Sequence, residues 1–205
     1  MAKLYFRYGA MGSGKTIDML KVAYNYEERG QRVLVLSPAK DDRYGVGKIT
    51  TRIGLQRDCV SISEDINLFS YIKNMFNKPN AILVDEAQFF TESQIYQLSD
   101  IVDYFEIPVI CYGLRTDFRL NFFPGSKILM GIADSVEEIK TICECGKKAI
   151  INMRFVDGVA VVEGEQVCIG GNDTYKSVCR KCYKRYVLKS KQIKENSLEI
   201  KKVVS

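Results

Sequence analysis

The stretch "YFRYGAMGSGKTIDML", residues 5–20, decides how the rest of the chain is read. A short apolar run leads into Gly9-Ala10-Met11-Gly12-Ser13-Gly14-Lys15-Thr16, which fits G-x-x-x-x-G-K-[ST]. Apolar residues at helical spacing follow, up to Gly30. Strand, glycine loop and helix in that order are the setting in which this motif binds phosphate. The glycines let successive backbone N–H groups turn inward around phosphate oxygens, and the following helix adds its positive end. Lys15 is then suited to reach the β- and γ-phosphates, and the Thr16 hydroxyl to ligate Mg²⁺. The flanking elements argue against a glycine-rich turn that matches by chance.

Outward from the loop, strand and helix patterns alternate. "QRVLVLSP" (31–38) reads as a strand, and "AKDDRYGVGKITTRIGLQRD" (39–58) as a long loop with little to bury. "CVSI" (59–62) predicts a strand, and "SEDINLFSYIKNMFNKPN" (63–80) a helix capped by Ser63 with acidic residues in its first turn. "AILVDEAQFF" (81–90) is an unbroken apolar run closed by two carboxylates, the pattern of a strand buried on both faces. "TESQIYQLSDIVDYFE" (91–106) predicts a Thr-capped amphipathic helix, and "IPVICYGL" (107–114) another buried strand. The expected fold is therefore α/β: a P-loop NTPase-type, RecA-like parallel sheet with helices on both faces. From Ile139 the pattern changes to cysteine pairs, glycines and basic residues. The expected divisions are an α/β domain at 1–138, a small cysteine lobe at 139–190 and a basic tail at 191–205.

The carboxylates that close "ILVDEAQF" complement the loop. In P-loop enzymes a carboxylate at the tip of a buried strand holds Mg²⁺, and Asp85 has that position. Neighbouring side chains on a strand point to opposite faces, so Glu86 is expected to turn away from the metal and toward whatever receives the phosphoryl group. An ordinary solvated strand end is the bland alternative. With water as acceptor the protein is an ATPase; with a substrate hydroxyl, whose proton Glu86 takes, it is a kinase. The loop by itself leaves both open.

Composition narrows the partners. Residues 184–205 hold seven Lys or Arg against two Glu, which leaves 23 basic and 23 acidic residues elsewhere. The net charge of +5 thus resides in residues 184–205, read as a solvated extension, and the neutral body argues against a nucleic-acid partner. No apolar run approaches the roughly 18 residues of a membrane span. "MAKLYFRYG" is too short an apolar run for a signal peptide, so a cytoplasmic location is expected.

The chain has seven cysteines and no histidine. A metal must then be held mainly by thiolates, and a general base is most simply a carboxylate. Cys143 and Cys145 in "CECG", with Cys179 and Cys182 in "CRKC", form two thiol pairs at a separation that suits a zinc ribbon. Reduced free thiols in loops are the alternative. Cys59, Cys111 and Cys168 lie in strand-like apolar contexts and read as small buried residues.

Together "GAMGSGKT", "VDEAQFF", "GLRTDF" with "FFPG", and "IGGNDTYKSVCRKCY" resemble the type II, zinc-containing thymidine kinases, over about residues 3–186. The resemblance selects the kinase branch. It implies that Glu86 is the base for a nucleoside 5′-hydroxyl, and that ATP with Mg²⁺ occupies residues 9–16, Asp85, Ala87 and Gln88, with Arg43 on the phosphates. It further implies that residues 152–175 wrap the nucleoside as a lasso. Met11, Leu114, Phe118, Phe123 and Tyr175 are then placed around base and sugar, Phe89 close by, and Asp41 and Gly170 on the substrate side; any one of these apolar residues alone more often reads as plain core. Thymidine or deoxyuridine as acceptor, dTTP as inhibitor, structural Zn²⁺ and a homotetramer are implied as well. The chain departs from the commoner family pattern in its one-residue spacer between Cys143 and Cys145, and in Asn152 and Gln166. The rivals are a zinc-ribbon ATPase acting on nucleic acid and a non-catalytic nucleotide-binding module.

Overall fold

The computed structural model describes residues 1–40, 47–51, 53–166 and 174–204, with side chains described neither at 174 nor from 194 onward. The chain forms two compact units. The first comprises residues 1–9, 14–115 and 122–139; the second comprises 10–13, 116–121 and 140–205.

The first unit runs β1 (Leu4–Tyr8), α1 (Lys15–Glu27), β2 (Val33–Pro38), β3 (Lys48–Thr50), β4 (Gln56–Asp58), β5 (Val60–Ile62), α2 (Leu68–Lys73), β6 (Ala81–Val84), a 3₁₀ turn (Ala87–Phe89), α3 (Glu92–Phe105), β7 (Val109–Gly113), α4 (Pro124–Ile132) and β8 (Ser135–Glu138). Six strands in the order β5-β2-β6-β7-β1-β8 make one sheet, and each neighbouring pair is parallel. The strand pleat sends alternate residues to opposite faces. Ile82, Val84, Val109 and Cys111 therefore pack with Leu68 and Ile72 of α2, Ile95 and Leu98 of α3 and Leu129 of α4. Leu83, Ile110 and Tyr112 pack on the other face with Met19 and Ala23 of α1. Helices cover both faces, as the alternating pattern requires.

Several local readings are corrected. The α2 helix is capped by Asn67, whose side chain accepts from the Ser70 N–H at 2.8 Å. Ser63 instead opens a turn ahead of the helix, its carbonyl accepting from the Ile66 N–H, and Gln94 Nε2 ties the Ser63 and Ile66 carbonyls to α3. The stretch read as one long loop contains the β3–β4 antiparallel hairpin. Cys59 falls between β4 and β5 and is half-buried, whereas Cys111 is buried in β7; Cys168 lies outside the described residues. The Thr91 cap of α3 is a full capping box with Gln94.

The second unit contains β9 (Thr141–Ile142), β10 (Lys148–Ala149), β11 (Ile151–Val156), β12 (Val159–Val161), β13 (Thr174–Val178) and α5 (Arg180–Val204). β12, β11 and β13 form an antiparallel sheet, so both ends of the segment read as a lasso are strands. Its small core includes Ile151, Met153, Phe155, Val178 and three of the cysteines. The basic tail is the continuation of α5, a helix that begins inside the second cysteine pair. Among the described residues no helix is long and apolar enough to cross a membrane.

Candidate functional site

In a parallel α/β sheet the carboxyl ends of the strands are where a ligand meets loops. The ends of β1, β7 and β6 lie side by side here. The Gly9 N–H donates to the Gly113 carbonyl at 3.2 Å, which ties the start of the glycine loop to the end of β7. Gly12 and Gly14 have φ of 73° and 85°, left-handed values that a side chain disfavours, and Gly14 delivers the chain into α1. The buried Lys15 curls back, its Nζ donating to the Gly9 carbonyl at 3.1 Å. Ser13 Oγ is buried without a hydrogen-bond partner among the described residues, a donor suited to an oxyanion.

Asp85 follows β6 directly. Its carboxylate is buried, accepts from Thr16 Oγ1 at 3.4 Å, and also accepts the Glu86 N–H at 3.0 Å. Two oxygen donors of this kind, a hydroxyl and a carboxylate, match the hard-ligand preference of Mg²⁺. Glu86 does not owe its direction to strand alternation, as the sequence reading supposed, because β6 ends at Val84. It has φ 47° and ψ 40°, the left-handed region, and caps the 3₁₀ turn. That conformation is uncommon for a residue with a long side chain and costs on the order of 1 kcal/mol, so the surroundings must hold it.

The Glu86 main chain donates to Asp85 and accepts from the Phe89 N–H, and Gln88 holds the carboxylate. Its Nε2 donates to Glu86 Oε2 at 2.6 Å while its Oε1 accepts the Leu114 N–H at 2.9 Å. The turn is backed by close main-chain approaches. A Cβ on Gly113 would lie 2.7 Å from Gln88 Oε1, and one on Gly125 would lie 2.5 Å from the Ala87 carbonyl oxygen. Ser126 Oγ donates to the Leu114 carbonyl at 2.5 Å, joining α4 to the same corner. Gly113, Gly125 and Ser126 carry no chemistry of their own; in the sequence Gly113 opens "GLRTDF", and Gly125 and Ser126 close "FFPGS".

The apolar residues named for the base and sugar divide between the units. In the first, Phe89 and Phe123 meet edge to face with centroids 5.6 Å apart, and Leu114 is half-buried. In the second, Phe118 is buried, with the guanidinium carbons of Arg119 and Arg154 each 5.6 Å from its centroid. Tyr175 pairs with Arg154 across β13 and β11. The Asp117 carboxylate organises its loop, accepting the N–H groups of Arg119 and Asn121 at 2.8 and 2.9 Å and pairing with the Arg119 guanidinium at 3.1 Å. Asp41, Arg43 and Gly170 lie outside the described residues.

The four cysteines do converge. Their sulfurs all lie within 4.8 Å of one another, and Cys145 Sγ is 3.6 Å from Cys179 Sγ. Tetrahedral Zn²⁺ with Zn–S of about 2.3 Å needs sulfurs roughly 3.8 Å apart, so the donor set fits the ion. The short Cys143-x-Cys145 spacing works because a turn folds it: the Gly146 N–H donates to the Cys143 carbonyl at 2.8 Å, and the Cys143 N–H to the Lys147 carbonyl at 2.7 Å. Cys179 and Cys182 sit at the start of α5. The Cys182 N–H, 3.5 Å away, pulls the Cys179 thiol down to about 6, which favours the thiolate a metal needs. Arg185 donates to both Cys182 Sγ and Glu144, bracing the two halves of the cluster.

A parallel sheet whose first strand runs into a Gly-Lys-Thr loop, with the threonine on the carboxylate at the end of β6, defines the phosphate-loop class of nucleoside-triphosphate-binding proteins. Comparison with known proteins adds the finer assignment. Thymidine kinase matches over residues 2–183. The thymidine kinase of Streptococcus agalactiae serotype Ia is 50% identical over 184 residues, covering 89% of this chain and 97% of that protein. The thymidine kinase of Lactococcus lactis subsp. lactis is likewise 50% identical over 184 residues, with the same coverage. Among solved structures, the replication initiator DnaA bound to AMPPCP and single-stranded DNA is 18% identical, with a TM-score of 0.43 over 68% of this chain and 40% of that one. The chain belongs to the thymidine kinase family. Membership makes it a nucleoside kinase, a transferase.

Proposed function

We propose that the protein transfers the γ-phosphoryl group of ATP to the 5′-hydroxyl of thymidine, giving dTMP and ADP, with deoxyuridine as a second acceptor. The observation that carries the reading is the corner in which Thr16 bonds Asp85 and the next residue, Glu86, is turned out of the strand and held by Gln88. In this reading residues 9–16 bind the phosphates, through the Lys15 ammonium and through backbone N–H groups other than those of Gly9, Met11 and Ser13, which donate to Gly113, Asn152 and Ala10. Thr16 and Asp85 would hold Mg²⁺, which neutralises charge on the transferred group. Glu86 accepts the hydroxyl proton as the nucleoside oxygen forms its bond to phosphorus and the bond to the ADP oxygen breaks. Gln88 acts through Glu86, fixing the carboxylate oxygen it donates to. Cys143, Cys145, Cys179 and Cys182 would hold structural Zn²⁺.

Arg43 on the phosphates, Asp41 and Gly170 on the substrate side, and Met11, Phe89, Leu114, Phe118, Phe123 and Tyr175 as base and sugar walls complete the proposed site. The proposal carries with it, from the family resemblance, inhibition by dTTP, a homotetramer and a cytoplasmic location. The test is ADP release from ATP and Mg²⁺ across a panel of nucleosides, with single-stranded DNA as a further arm. Thymidine-dependent release with formation of dTMP is expected. Release stimulated by DNA and by no nucleoside would sink the kinase reading.

A further inference from the structure

Within the second unit, one residue of the glycine loop has both of its main-chain polar groups taken by side chains. The Met11 N–H donates to Asn152 Oδ1 at 2.7 Å, and the Met11 carbonyl accepts from Ser177 Oγ at 2.5 Å. These partners are not independent. Asn152 on β11 and Ser177 on β13 are directly opposed in the antiparallel register, so their side chains leave the sheet on the same face as a facing pair. Asn152 is only 5% exposed, so its amide oxygen gains little from water and depends on this bond. Two residues after Ser177 the chain reaches Cys179, so the strand that presents the serine runs straight into the thiolate cluster.

A loop that binds phosphate through its backbone works only if its peptide planes point inward before the ligand arrives. Gly12 and Gly14 make this loop permissive, and permissive backbone is costly to order. Met11 immediately precedes Gly12, the first of the two left-handed residues. Holding its N–H and carbonyl removes freedom where the chain most needs it removed. We propose that Asn152 and Ser177 form a clasp that presets the peptide planes of the phosphate loop, and that they are positioning residues for triphosphate binding. The proposal rests on the reading of residues 9–16 as the ATP site. It also gives a reason for Asn152 at a position where the resemblance leads one to expect a smaller or apolar residue.

The test measures the dissociation constant of ATP with Mg²⁺ on the full-length protein, without nucleoside, beside the thermal midpoint. Asn152→Ala and Ser177→Ala should each weaken ATP about 10-fold, the size of one lost hydrogen bond, and together by less than the product of the two, because they hold one residue. Ser177→Thr keeps the donor hydroxyl without adding charge and should recover most of the affinity lost in Ser177→Ala. Ser190→Ala is the structural control: Ser190 Oγ makes a buried bond to the Ala160 carbonyl in the same unit, so its loss should lower the thermal midpoint and leave ATP affinity unchanged. If Asn152→Ala fails to fold, Ser177→Ala and Ser177→Thr carry the comparison. ATP bound as tightly by the clasp variants as by wild type overturns the clasp alone, as does an equal loss in Ser190→Ala. A wild-type protein that binds no ATP overturns the phosphate-loop reading and the clasp with it.

Discussion

Gln88 donates to Glu86 across 2.6 Å while its other amide atom is fixed by the main chain of Leu114. The amide is thus oriented from behind, and the carboxylate it faces is held in a left-handed turn that an isolated chain would leave. The corner is built to aim one acidic group, and its parts can be separated by mutation.

Glu86→Gln should lower turnover by about 10²–10⁴-fold, the range of a lost general base, while ATP affinity stays within about twofold. Steady-state kinetics and ATP titration check the two halves. Full turnover in this variant would remove Glu86 from the chemistry.

Gln88→Ala should reduce kcat more than it raises either KM, because it releases Glu86 without deleting it. An effect on kcat of about 10-fold is expected, in line with one positioning hydrogen bond. A variant with unchanged kcat would show that the 3₁₀ turn alone aims the carboxylate.

The two glycines that back this corner should differ in tolerance. A Cβ on Gly113 meets a side-chain oxygen, Gln88 Oε1, at 2.7 Å and main chain no nearer than the Gln88 N at 3.2 Å, whereas one on Gly125 meets two carbonyl oxygens, of Ala87 and Phe90, at 2.5 and 2.9 Å. Main chain cannot swing aside as a side chain can. Gly125→Ala should cost more stability than Gly113→Ala, about 3 against about 1 kcal/mol, in urea unfolding. Gly113→Ala should instead show its effect in kcat, through Gln88.

Stripping metal with a chelator should leave the first unit folded and unfold the second, since its core is small and three of its buried members are the cysteines. Zinc quantitation should give one ion per chain in the untreated protein, and Cys179→Ser or Cys145→Ser should abolish retention. Full zinc content after Cys145→Ser would exclude that exposed thiol as a ligand.

Acid should weaken the first unit through Asp18. Burial alone would raise its carboxyl pKa, but donation from Lys21 and Tyr112 and the charge of Arg7 outweigh it and hold the group below the usual range. A depressed carboxylate adds stability that is complete above its unfolded value, near pH 4, and is lost as pH falls through the lower folded value. Asp18→Asn should therefore cost about 1 kcal/mol at pH 7 and flatten the pH dependence below about 4, read by denaturant unfolding at several pH values. An unaltered acid limb would show that other carboxylates carry it.

Composition, periodicity and spacing determined a great deal by themselves. Period-2 and period-3.6 patterning with a glycine loop after the first strand sufficed for a parallel α/β sheet, because each local pattern can bury its apolar face in few ways. The cysteine set was equally plain, since four thiols in two close pairs without histidine leave few other partners. What tertiary structure decided was direction. Glu86 is turned by its own left-handed backbone and its carboxylate held by an amide two positions away, not by the strand pleat; Asn67 caps α2 while Ser63 is held in a turn with Ile66; Met11 is held by residues 141 and 166 positions along the chain. Local patterns fix which elements form, whereas the aim of a polar side chain depends on partners that only folding brings within 3 Å.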